Sequence, residues 1–183
     1  MDTDTDKTLS KLGSGLSAES LRQLGYLFCL IELKHGETLC ESGRHSQSLY
    51  VLHSGVLRVS VKRGTSVVHV PAMRRGDWVG EVCLLDPGPA TADVSVLGSA
   101  AVLEFTHEAL KNFMTRDPVG ASQLLSTLMT DLAQRLHRTS DSLIKFERST
   151  ALLADPPVEK KATEVEGLFA HLFGIHKNQP HAK

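Results

Sequence analysis

Three histidines lie in strand-like or cap contexts, His53, His69 and His107, and no His-x-His pair joins any of them. A metal held on a β scaffold needs such clustered ligands, so each reads as an ordinary surface or partly buried histidine. Glu81, Asp86 and Asp93 form no acid/base pair beside a nucleophile. There is no glycine-rich phosphate loop of the P-loop type and no nucleophile elbow. Cys29, Cys40 and Cys83 have no paired spacing and sit in apolar or strand-like runs. An odd, sparse set reads as reduced structural thiols in a cytoplasmic protein. Enzymatic chemistry is not expected. The chemistry that remains is binding.

The elements that would position a binding site come in two grammars. From about Ile31 to Phe105 the chain is made of short β-like runs broken by Gly, Pro, Ser and Asp. Leu49–Leu52 precedes a turn expected at His53-Ser54-Gly55. Leu57, Val59 and Val61 then alternate with Arg58, Ser60 and Lys62, the period of a half-buried strand. Arg63-Gly64 turns the chain into 66–70, and further strands are expected over 92–96 and 101–105. Many short strands at close spacing predict a sandwich or small barrel. Helices flank them. Ser17 caps one over 17–28, and Thr106 caps a short one through Phe113. Asp117-Pro118, a cap followed by proline at the first helical position, opens a long one over 119–147.

That last helix carries the cleanest periodicity. Leu125, Met129, Leu132, Leu136, Thr139, Leu143 and Phe146 are spaced by alternating steps of four and three. Asp131, Gln134, Arg135, Arg138, Asp141 and Lys145 surround this narrow stripe. A helix lying on its own barrel needs a wider stripe, so the seam predicts a homodimer contact. Hydrophobic content of 41%, charged content of 22% and a net charge of -1 fit an ordinary soluble chain with no field to draw DNA or lipid. No apolar run is long enough to span a bilayer, and no signal-peptide pattern opens the chain.

Residues 77–92 carry a family resemblance. Gly80-Glu81, the apolar turn Val82-Cys83-Leu84-Leu85 and the small pair Thr91-Ala92 resemble the phosphate-binding cassette of the cyclic nucleotide-binding domain family. Further stations agree in order: Lys34-His35-Gly36-Glu37, the glycine turn over 41–50, Ser54-Gly55-Val56 and Arg75-Gly76-Asp77. Leu132 to Ser140 is similar to the long helix of the bacterial catabolite activator proteins. The resemblance covers about residues 16–148. It implies a mainly β fold with flanking α, an eight-stranded jelly-roll (cupin-like) barrel with an N-terminal helix and a long C-terminal dimerisation helix. It also implies a signalling role and cyclic AMP or cyclic GMP as ligand. Glu81 would accept from the ribose hydroxyl, backbone N–H groups near Val82 and Cys83 would meet the phosphate, and Thr139 and Ser140 would reach the base.

One position departs from the pattern. The family's arginine slot holds Ala90. A charge-assisted contact of that kind, lost from a desolvated site, costs about 2–5 kcal/mol, or tens to thousands in affinity. Arg58, Arg74 and Arg75 are the cations the sequence offers in its place. The expectation is therefore a non-enzymatic regulatory module with a divergent cassette, acting through dimerisation and protein contact. The alternative is a working sensor of cyclic AMP, cyclic GMP or a cyclic dinucleotide through Glu81 and Thr139/Ser140.

The expected organisation is a flexible N-terminus over 1–15, the domain over 16–148, a linker over 149–163 and an amphipathic tail over 164–183. The tail's 164–175 helix, with Leu168, Phe169, Leu172 and Phe173, either docks on a protein partner or packs on its own barrel. The residues after Glu147 show no recognition-helix pair, so DNA binding is not expected. Few basic residues on that helix argue against a membrane role.

Overall fold

The computed structural model describes residues 3–63, 66–69 and 73–153. In chain order the elements are α1 (Thr3–Leu9), α2 (Ala18–Gly25), β1 (Cys29–Leu33), β2 (Thr38–Cys40), β3 (His45–Ser46), β4 (Ser48–Arg63), β5 (Ser66–His69), β6 (Trp78–Val79), α3 (Glu81–Leu85), β7 (Gly88–Pro89), β8 (Asp93–Thr106), α4 (His107–Arg116) and α5 (Pro118–Leu153). Two units divide the chain, Met1–Ala133 and Gln134–Lys183. The site discussed below belongs to the first.

The expected caps form. Ser17 Oγ accepts from the Ser20 N–H at 3.0 Å, Thr106 Oγ1 from Ala109 at 3.1 Å, and Asp117 Oδ1 from Gly120 at 2.9 Å. Each satisfies a donor that the first turn of a helix leaves open. The helix expected over 17–28 is shorter, and the one expected over 119–147 is longer, reaching Leu153. Part of the 149–163 linker is therefore helical. Residues 154–183, which hold the rest of it and the tail, lie outside the described residues.

The sheet is organised around two long strands. β8 pairs antiparallel with β4, β1 and β2, and β4 also carries β5 and β6. β3 and β7 pair only with each other, His45 opposite Pro89 and Ser46 opposite Gly88. Among the described residues these ladders do not close into a barrel. The eight-stranded closed roll expected from the resemblance becomes a six-stranded sheet and a two-stranded ribbon, because no ladder joins the ribbon to the larger sheet.

The turn expected at His53–Gly55 is not a turn. β4 runs straight through it, with register breaks between Leu52 and Ser54 and between Gly55 and Val56. The runs at 92–96 and 101–105 likewise fuse into β8. The break has a packing purpose. Leu52 and Leu57, five residues apart, lie in one buried cluster with Val59, Val94, Val96, Ala100 and Val102. An unbroken strand would send an odd separation to opposite faces. The bulge resets the alternation. On the other face Leu49, Val51, Leu103 and Phe105 pack with Trp78, Leu84, Leu110, Phe113, Leu124 and Leu128.

Residues 3–15 of the expected flexible terminus are not a loose arm. Leu9 and Leu12 are fully buried in the helical core cluster. The polar side of α1 is latched to β4 and the segment before β6. Arg75 Nη2 lies 2.7 Å from Asp4 Oδ1, Arg75 Nε donates to Thr8 Oγ1 at 2.9 Å, and His53 Nε2 sits 3.2 Å from Asp4 Oδ2. The Arg75 guanidinium holds the Asp4 carboxyl below its usual 3.8, with His53 and Lys7 adding to the field. A carboxyl with a lowered folded pKa stabilises above its unfolded value and loses that as pH falls through the folded one. Protection factors of the α1 amides, taken relative to the intrinsic exchange rate at each pH, should therefore fall on going from neutral pH to about pH 3, the carboxylate range. In Arg75→Ala they should be low at both.

Candidate functional site

Trp78-Val79 hydrogen-bonds to Tyr50-Val51 on β4, which fixes where the chain enters the cassette. Gly80 follows with φ 89, and a Cβ there would overlap the Ser48 carbonyl oxygen and come within 3.5 Å of Leu49 Cα. Only glycine allows this close approach and backbone region. The apolar turn expected after it is α3, with Glu81, Cys83 and Leu84 buried. His107 at the start of α4 bonds through Nδ1 to the Leu84 carbonyl at 2.7 Å, so α3 is pinned from both sides.

A cavity of about 480 Å3 opens beside this framework. It falls in the size range of small-molecule sites. Its wall is Thr38, Leu39 and Cys40 on β2, then Glu41 and Arg44, then His45 to Ser48, with Tyr50 and Ala90. Of the expected ligand residues in the cassette, Ala90 lines it, and Ala90 is 9% exposed. Gly80 abuts Ser48 of the wall, while Glu81 is buried, 6% exposed, and does not line the cavity. Val82, Cys83, Thr91 and Ala92 do not line it. Burial and Glu104 push Tyr50 up to about 12, so its phenol stays a neutral hydrogen-bonding group. Burial pushes the Cys40 thiol up to about 11, with Cys83 and Glu104 adding to it. Burial and then Glu81 raise Cys83 as well. Cys40 and Cys83 are thiols that pack and not nucleophiles, whereas Cys29, expected to be buried like them, is exposed on β1.

None of Arg58, Arg74 and Arg75 lines the cavity. Arg75 is engaged with Asp4 and Thr8. The cation at the wall is Arg44, which sequence reading passed over. It lies far from the cassette in sequence, in the turn at 41–44. Only the chain's path beyond the β3–β7 pair brings the 43–44 turn against position 90. The Gly43 N–H donates to the Ala90 carbonyl and the Ala90 N–H to the Arg44 carbonyl, both at 2.8 Å. Arg44 Nε lies 2.8 Å from Glu41 Oε2, with the two side chains 77% and 50% exposed. Exposed pairs of this kind contribute about 0–1 kcal/mol.

Thr139 and Ser140 belong to the second unit. There the Thr139 hydroxyl donates to the Arg135 carbonyl at 2.9 Å, one turn back on its own helix. That gives it a partner without a ligand. The start of α5 has two apolar faces. Ala121, Leu124 and Leu128 are buried in the core. Leu125 is half-buried against it, while Met129 and Leu136 of the expected seam are 57% and 56% exposed. The side chains of Leu143 and Phe146 lie outside the described residues. Among the described residues no group of three His, Cys, Asp or Glu is placed to hold a metal. No described helix is long and apolar enough to cross a membrane.

Residues 30–117 match the profile of the family described as the cyclic nucleotide-binding domain. The chain is similar to the CRP-like cAMP-activated global transcriptional regulator of Mycobacterium tuberculosis, 24% identical over 141 residues, which are 75% of this chain and 61% of that protein. It is similar over a smaller share to Glutaminase 1 of Bradyrhizobium diazoefficiens, 26% identical over 132 residues, 72% of this chain and 21% of that enzyme. The solved Catabolite Activator Protein of Thermus thermophilus superposes with a TM-score of 0.67 at 24% identity, over 75% of this chain and 63% of the other. That likeness shows the fold. The chain spans about 61% of the length of the curated regulator it matches.

Proposed function

Because the chain belongs, through residues 30–117, to the cyclic nucleotide-binding domain family, we propose that it is a non-enzymatic, cytoplasmic regulatory module whose ligand cavity has an altered phosphate seat. One observation carries this reading. The position that would present the cassette cation is Ala90, buried in the wall of an open cavity of about 480 Å3. The room for a ligand is kept while the cassette's own guanidinium is gone. The output is dimerisation through the seam of Leu125, Met129, Leu132, Leu136, Thr139, Leu143 and Phe146, together with contact to a protein partner. Residues 164–175 are the proposed partner segment. The match to a glutaminase covers a fifth of that enzyme, and we read it as a shared module.

Calorimetric titration with cyclic AMP, cyclic GMP and a cyclic dinucleotide tests the seat. Ala90→Arg should tighten binding of one of them tenfold or more, the size of a charge-assisted contact. Unaltered affinity in that variant rejects the altered seat. A second reading, a competent sensor with its cation supplied from elsewhere, is favoured by the presence of Arg44 in the same wall.

A further inference from the structure

We propose that Arg44 supplies the missing cation from the opposite strand, so that the cavity takes a ligand with a singly charged phosphodiester, a cyclic mononucleotide. This rests on the cavity being the ligand site, as proposed above. The shared cavity wall and the backbone bonds between the two segments carry it. β3 and β7 pair His45 with Pro89 and Ser46 with Gly88, and beyond them Ala90 faces both Gly43 and Arg44 across a bulge. The Ala90 N–H donates to the Arg44 carbonyl and the Gly43 N–H to the Ala90 carbonyl, both at 2.8 Å. Arg44 and Ala90 line the same cavity. The charge has moved from the segment where the cassette would carry it to the segment beside it.

The root of Arg44 is fixed while its head is free to turn. The Ser42 N–H donates to Asp93 Oδ1 at 2.8 Å, the Arg44 N–H to the Glu41 carbonyl at 3.0 Å, and Gly43 holds the turn at φ 85. Beyond this anchored backbone, the guanidinium is 77% exposed and engages only a half-exposed carboxylate in the described ion pairs. Glu41 thus acts as a placeholder. A phosphodiester offers two oxygens to the guanidinium fork and competes with a weak surface pair. Ala90, being small, leaves the volume over β7 open.

The test is titration of the full chain with cyclic AMP and with cyclic GMP, alongside melting curves for each variant. Wild type should bind one of them. Arg44→Ala should weaken that binding about ten- to a hundredfold, the loss of one charge-assisted contact, with an unchanged melting temperature. Glu41→Gln should tighten it. Adding Ala90→Arg to Arg44→Ala should restore it. Wild-type affinity in Arg44→Ala overturns the role of Arg44 and leaves the cavity reading standing. So does a silent wild type beside an Ala90→Arg that binds. Silence in both wild type and Ala90→Arg overturns the cavity reading itself.

Discussion

Gly55→Ala should cost this fold about 2–5 kcal/mol, the combination of a forced left-handed backbone and an overpacked contact. Most single substitutions cost far less. Gly55 sits at φ 87 in the middle of β4. A Cβ there would overlap the Ser99 carbonyl oxygen and stand 2.6 Å from Ala100 Cα and 2.9 Å from Ala100 Cβ. Those atoms are backbone of β8 and its first methyl, so no flexible side chain can give way. The two strands would have to part at the bulge that lets Leu52 and Leu57 share a core. Against a total stability of about 5–15 kcal/mol, the loss is visible in any denaturant midpoint. Gly98→Ala is the matched control. It has φ 82 but nothing within 4 Å of an added Cβ, so it reports the backbone cost alone. Equal losses in the two variants would refute the packing argument.

The same glycine shows what could be read from the chain and what could not. His53-Ser54-Gly55 has the composition of a turn, and local propensity alone ends a strand there. Tertiary pairing overrides it, since β8 offers partners on both sides of the bulge. Signals that act within four residues were legible: the caps at Ser17, Thr106 and Asp117, the alternation of Leu57 and Val59, and the cassette turn at Gly80-Glu81. The β5 hairpin, where Arg63 pairs with Ser66, was legible for the same reason. What stayed hidden rests on contacts between distant residues. Met1 to Lys7 reads as a polar tail until Arg75 and His53 close on Asp4 and Thr8. Arg44 reads as a surface residue of a turn until β3 meets β7.

The functional stakes follow from that last pairing. A cassette judged by its own residues is one cation short. The wall that it shares with the 41–48 segment is not, because a side chain contributes to a site through the face it occupies and not through its place in a motif. An anion taken out of water into a cavity needs a positive group close by. In the proposed site Arg44 of the wall fills that need, which would make the loss at position 90 a relocation with an altered geometry.

Leu132→Asp should convert the chain from a dimer to a monomer of 19.9 kDa, read by sedimentation velocity. Leu132 lies between Met129 and Leu136 on the stripe of four-three spacing, and both neighbours are more than half exposed in the single chain. The core side of α5 is filled by Ala121, Leu124 and Leu128, with Leu125 packed at its edge, so the stripe from Met129 onward is not part of the core cluster. In the proposed dimer a second copy of the same helix would cover it by the same stripe, as a two-fold axis requires. A carboxylate buried without a partner costs about 3–5 kcal/mol, and the two-fold places one on each side. At about 1.4 kcal/mol per tenfold, association weakens by a hundredfold or more. Gln134→Asp adds the same charge at an exposed position off the stripe and should leave the dimer intact. Leu136→Asp, at a site 56% exposed in the protomer, separates loss of the dimer from loss of the fold, because its melting curve should hold while its mass halves. A dimer that survives both seam variants would place the contact on another surface.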